Sequence, residues 1–335
     1  MLTTTAELLT ELQLESPGMN TAVISSMVNA IIKCGGESDG HALLSQYLTH
    51  PNDFTHSYLL PIFKKWGNLS VAEALFGVAV EGDRLKEDAD PEILEVLGHL
   101  KYAPVMPILA DCLFKEKTTD YYISAYAALG LLHFDCSGLQ KEIKESIEDC
   151  YGKNLFPEFV PALVCKLNDR QQVLENLYEL GNTTASTDCN AGIILGFSLC
   201  AEEGRPYFMK ILFDPAWETG SSATGTVQYV YKGLKNLEIS FKTVYEYMIS
   251  ASDSVNESLD VFFALLRKRI NDADLHHPES FADLYTLLFT ITTGSQNSAL
   301  TDLAEHAGKG GEADELENLL LLKVNEEVLL KNFIQ

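Results

Sequence analysis

The run Ser124-Ala-Tyr-Ala-Ala-Leu-Gly130 closes on a Leu-Gly pair that recurs at Leu97-Gly98 and Leu195-Gly196. Gly98 and Gly130 are 32 residues apart; Gly130 and Gly196 are 66 apart, or two steps of 33. The skipped step falls at Ala162-Leu163-Val164, inside another apolar stretch. A fixed period of this length belongs to stacked helical hairpins, each too small to bury its own apolar face. A glycine inside a helix costs about 1 kcal/mol against alanine, so it needs a packing reason. Close approach of the two helices of one hairpin is the expected one.

Helical patterning extends outward from this repeat. Val23, Ile24, Met27, Val28, Ile31 and Ile32 form one stripe that stops at Gly35-Gly36. Ser70-x-x-Glu73 has the form of a capping box. Asp90-Pro91 places an N-cap before a proline at the first helical position, leading into Ile93, Leu94, Leu97 and Leu100. Leu139, Ile143 and Ile147 make another stripe. Val173, Leu174, Leu177 and Tyr178 make one more, with Gly181 as its expected stop. Pro104, Pro107 and Pro206 are expected in the first turns of second helices, where the missing N–H has no partner to lose. Sustained strand alternation is absent, and the sequence predicts an all-α protein.

The segment Ser124–Gly130 and the whole run Asp90 to Phe114 resemble HEAT-type repeats of the phycobilisome-lyase-like kind, over about residues 90 to 213. In that family a helix ending Ala-x-x-Leu-Gly is followed by a loop and a Pro-led second helix. The family's Asp-Pro-Arg loop and the Val-Arg opening of its first helix are missing here. The resemblance implies a right-handed α-α superhelix, a solenoid whose second helices line a concave face. On that face it places Asp111, Lys115, Tyr207 and Lys210. It also implies one alternative activity, a lyase or chaperone for a tetrapyrrole (bilin).

The expected organisation is one continuous solenoid over 1–335: an irregular helical cap at 1–89, HEAT-like repeats at 90–235, and further helices with an acidic cap at 236–335. Apolar residues make up 46% of the chain, which excludes general disorder. With 48 acidic and 24 basic side chains the net charge is −24. Such a chain is poorly suited to a phosphate backbone, whose binding needs Lys and Arg to release counterions. A HEAT-like DNA glycosylase and nucleic-acid binding in general are therefore disfavoured. The acidity suits a soluble surface or the steering of a basic protein partner. Seven cysteines, odd in number and without a CxxC, indicate reduced thiols and a cytoplasmic protein. No signal peptide, membrane span or membrane partner is expected.

The candidate chemistry is sparse. His50, Asp53 and His56 bring two imidazoles and a carboxylate together, though not at a helical ligand spacing, and a polar loop is the expectation. His276-His277-Pro278 reads as a helix start. His99 and His133 occupy related places after two Leu-Gly pairs, which suggests contact between repeats. Gly220-Ser-Ser-Ala-Thr-Gly225 lacks the lysine of a phosphate-binding loop. Cys150 lies beside acids that would raise its pKa, away from an activated thiolate. Neither a catalytic group, a metal nor a cofactor is expected. Among the aromatics Tyr121, Tyr122, Tyr126, Tyr229, Tyr231 and Trp217, the last is expected in an inter-repeat loop and is the candidate anchor for a partner. The function expected is a non-catalytic protein-binding scaffold or inhibitor, of immunity type in its most specialised form.

Overall fold

Helix follows helix through the computed structural model, which describes residues 1–13, 21–49, 57–115, 121–149, 158–183, 188–220, 226–251, 255–272, 315–316 and 318–325. The first helices are α1 (Thr3–Leu12), α2 (Thr21–Cys34), α3 (Glu37–Thr49), α4 (Leu60–Trp66) and α5 (Leu69–Ala79). Then come α6 (Glu92–His99), α7 (Met106–Ala110), α8 (Tyr121–Leu131) and α9 (Gln140–Asp149). The rest are α10 (Gln171–Thr183), α11 (Asp188–Leu199), α12 (Ala201–Ile211), α13 (Thr226–Asn236), α14 (Phe241–Ala251) and α15 (Val255–Asn271). The only strands among the described residues are β1 (Val80–Glu81) and β2 (Arg84–Leu85), a two-residue ladder that the sequence pattern did not reveal. Gly82, at φ +61°, supplies the positive φ that its tight turn needs. No described helix is long and apolar enough to cross a membrane.

The helices gather into two compact units, Met1–Asp169 and Arg170–Leu329. The division falls within residues 90–235, the stretch expected as repeats. In the first unit α6 packs against both α4 and α8, and α8 packs against the 3-10 helix Val160–Lys166. That 3-10 helix occupies the skipped repeat step: Ala162, Leu163 and Val164 are all fully buried. In the second unit α11 packs against α12 and α13, and α13 against α15. Each unit thus pairs a helix with its neighbour and its next-but-one.

Local signals explain several boundaries. Asp90 Oδ1 accepts a hydrogen bond from Glu92 N at 2.9 Å, and Pro91 holds helical φ −59° in the turn that opens α6. The α5 cap is Asn68, whose Oδ1 accepts from Ser70 N and Val71 N, so the Ser70–Glu73 capping box is corrected by two residues. Pro206 is likewise corrected: it lies inside α12 and not in its first turn. The second helix expected to open at Pro104 and Pro107 is instead a 3-10 turn, the short α7 and a π-turn, Asp111–Lys115.

The glycines of the Leu-Gly pairs mark a different contact from the expected one. A Cβ on Gly98 would collide with the Cα and carbonyl oxygen of Gly130, and a Cβ on Gly130 would sit 2.6 Å from the Leu94 carbonyl oxygen. The close approach is therefore between α6 and α8, not between the two helices of one hairpin. Gly181 was expected to end α10, but it lies within it; a Cβ there would collide with the Trp217 indole.

Gly98→Ala should separate α6 from α8, and overpacking of this kind costs about 1–3 kcal/mol. Urea unfolding should show a lower midpoint than for Gly77→Ala, a helical glycine whose Cβ would meet nothing within 4 Å. Equal midpoints would contradict the backbone contact.

Candidate partner-binding surface

In the second unit α10 and α12 lie side by side and expose a stripe of aromatics. Tyr178 of α10 and Tyr207 of α12 are half-buried, their ring centroids 6.1 Å apart. Tyr207 stacks on buried Phe197 at 5.4 Å. Lys210, one turn beyond Tyr207, places its ammonium 5.4 Å from the Tyr178 ring and 5.9 Å from that of Tyr207. Each is within the range of a cation–π contact. Gln171 Nε2 donates to the Tyr207 hydroxyl at 2.9 Å and to Glu175 Oε1 at 3.2 Å. Burial is the main cause that pushes the Tyr207 hydroxyl up, with Glu175 adding to it and the Gln171 bond opposing.

The stripe is held from below and at one end. Arg170 forms a two-point contact with Glu203, Nε to Oε2 at 3.0 Å and Nη2 to Oε1 at 2.7 Å, which ties the start of α10 to α12. Phe213 stacks on Tyr247 of α14 at 6.4 Å, and both are half-buried. The rim is acidic, with Glu175, Glu179, Glu202 and Glu203 exposed.

Two of the sequence-expected residues, Tyr207 and Lys210, therefore meet on one surface. Trp217 does not join them there. It ends a 3-10 turn, Pro215–Trp217, is 0% exposed, and fills the notch left by Gly181 against Tyr178 and Phe197. The loop expected to expose it is pinned: Asp214 caps the turn through Ala216 N, and Thr219 Oγ1 donates to Leu212 O at 2.8 Å. Its ring stabilises the core and presents no face to solvent. Tyr178 and Tyr247 were missed by sequence reading, because they look like core positions of apolar stripes.

Asp111 belongs to the first unit. With Asp83, Arg84, Leu85, Ile108, Cys112 and Ile123 it lines a cleft of ≈ 240 Å³ between the β-hairpin and the π-turn. π-turns often sit at functional positions. The Lys115 side chain lies outside the described residues, as do His50, Asp53, His56, Cys150, His276, His277 and the segment 221–225. The Cys189 side chain also lies outside the described residues, and Cys34, Cys112, Cys136, Cys165 and Cys200 form no disulfide. Tyr122 is exposed, whereas Tyr231 is buried.

The first turn of α6 carries a strongly perturbed carboxyl. Burial, with Asp90 and Glu95 beside it, pushes the Glu92 carboxyl up to about 7, against the pull of Lys64. Burial and the same carboxylates push the Tyr126 hydroxyl up to about 12. Lys64 pairs with Glu95 at 2.5 Å. His99 and His133 meet edge to face at 4.9 Å, a contact between α6 and the end of α8. Burial, then His99, lowers His133 to about 4. Among the described residues no group of three or more His, Cys, Asp or Glu is placed to hold a metal.

Comparison with protein-family models, with curated proteins and with solved structures returned no match for the chain.

Glu92 has a raised folded-state pKa, so its contribution to stability is fully present below its ordinary value of 4.5 and is lost as pH rises through about 7. Glu92→Gln should therefore match the parent near pH 4.5 and exceed it in unfolding midpoint near pH 8. The comparison cancels the opposite trend of His133, which is shared by both proteins. A gap that is constant across this range would contradict the buried, proton-exchanging carboxyl.

Proposed function

We propose that the protein is a non-catalytic binding module whose HEAT-like helical hairpins form a right-handed superhelix and grip another protein, with action in the cytoplasm. The observation that carries this reading is the Tyr178–Tyr207–Lys210 stripe on α10 and α12, continued by Tyr247 and Phe213. Tyrosine buries large area with few rotatable bonds, which makes it a favoured anchor at interfaces. These rings are already held by Gln171, Phe197 and Lys210, so little ordering remains to be done on binding.

The charge supports a basic partner. A net charge of −24 and the exposed Glu175, Glu179, Glu202 and Glu203 around the rings would raise its encounter rate. The aromatics would then hold it after water is expelled. An inhibitor or immunity protein that masks a basic toxin is the most specialised form of this function. The helix i to helix i+2 packing in each unit and the 32-residue step from Gly98 to Gly130 support the HEAT-like part of the proposal.

Photo-cross-linking in the native host tests it. A photoreactive side chain at position 210 should yield one discrete protein adduct, and the same group at exposed Ser26 of α2 should not. The adduct should disappear in a Tyr178→Ala, Tyr207→Ala background. Equal labelling at both positions, or no adduct at 210, would overturn the assignment.

A further inference from the structure

Against the acidic background of the chain, one stripe of α15 carries two neighbouring cations at its C-terminal end. Asp260, Ala264, Arg267, Lys268 and Asn271 recur at helical spacing along one side of this helix, opposite the buried Leu259, Phe262, Phe263, Leu266 and Ile270. They line a cleft of ≈ 460 Å³ that is closed across from α15 by Gly220 and by Val227 in the first turn of α13. This volume lies within the range of small-molecule sites, about 300–1,000 Å³. Gly220 packs closely on α15: a Cβ there would stand 3.2 Å from the Cα of Val261.

The three donors at one end are chemically distinct. Arg267 offers a planar fork, Lys268 an ammonium and Asn271 an amide, a set suited to the several oxygens of a phosphate. Arg267 Nη2 already faces a carboxylate, Glu315 Oε2 at 3.5 Å, and Lys268 Nζ stands 4.0 Å from Asp272 Oδ1. The first turn of α13 adds backbone N–H groups that favour an anion beside them. The Gly220 loop lacked a lysine in sequence; here Lys268 of a different helix lines the cleft at which that loop begins. Asp260 lies about two helical turns from Arg267, or about 11 Å, and places a carboxylate, an acceptor, at the other end of the cleft.

We infer that the cleft between α15 and the start of α13 binds a phosphorylated small molecule, its phosphate held by Arg267, Lys268 and Asn271 and its hydroxyl-bearing end by Asp260. The site is separate from the aromatic stripe on α10 and α12 and does not depend on it.

Calorimetric titration of the full chain at fixed ionic strength, with inorganic phosphate and with ribose 5-phosphate, tests this. Both should bind, ribose 5-phosphate more tightly. Lys268→Gln should weaken both at least tenfold. Asp260→Asn should weaken ribose 5-phosphate alone, and Glu315→Gln, which removes a competing carboxylate, should strengthen both. Circular dichroism of each variant establishes that it is folded. No heat with either probe, or binding that a folded Lys268→Gln variant retains in full, would overturn the inference.

Discussion

The contact of α6 with α8 at Gly98 and Gly130 leaves no room for a side chain between the two backbones. Much of the first unit follows from that approach. Leu94, Leu97, Leu109 and Leu131 close around it with no exposure to solvent, as the dense packing of interiors demands. Because α6 lies directly on α8, the carboxylates of its first turn come within electrostatic reach of Tyr126, and His99 meets His133. The elevated proton affinity of Glu92 is thus a consequence of helix packing, since the same carboxyl on a solvated first turn would be stabilised in its charged form by the helix dipole.

The second unit uses glycines in another way. Gly181 and Gly233 are notches for rings, of Trp217 and Phe208 respectively, and Gly204 lets α12 run close to the Phe197 carbonyl. The largest side chains are drawn into the core by these notches: Trp217, Phe197 and Phe208 are all fully buried. Tyr178 and Tyr207 are supported from beneath by Trp217 and Phe197 and stay half-exposed above them. A rigid aromatic surface results, because its foundation is a packed core and its hydroxyl and ammonium groups already have contacts.

How far the sequence could be read depended on whether a feature is local. Asp90-Pro91, the buried faces of α2 and α9 and the dominance of helix were legible, since capping and 3.6-residue periodicity need only neighbouring residues. The Leu-Gly pairs were visible too, but not their partners, because glycine spacing does not say which helix approaches. Trp217 illustrates the same gap: its Gly181 notch is 36 residues away, and a loop-like Asp214-Pro215 context pointed to exposure. The π-turn at Asp111 and the β1–β2 hairpin carry no periodic signal of their own. Tyr207 and Lys210 were reached through the resemblance, whereas Tyr178 and Tyr247 came from packing alone.

The repeat reading turns on whether helices one period apart touch backbone to backbone. Nuclear Overhauser spectroscopy on protein carrying ¹³C-labelled glycine in a deuterated background measures this directly, since only glycine α-protons then report. A cross-peak between the α-protons of Gly98 and Gly130, assigned by its loss in Gly130→Ser, is the result predicted. Absence of that cross-peak in folded protein would mean that a gap separates α6 from α8, and would contradict the account.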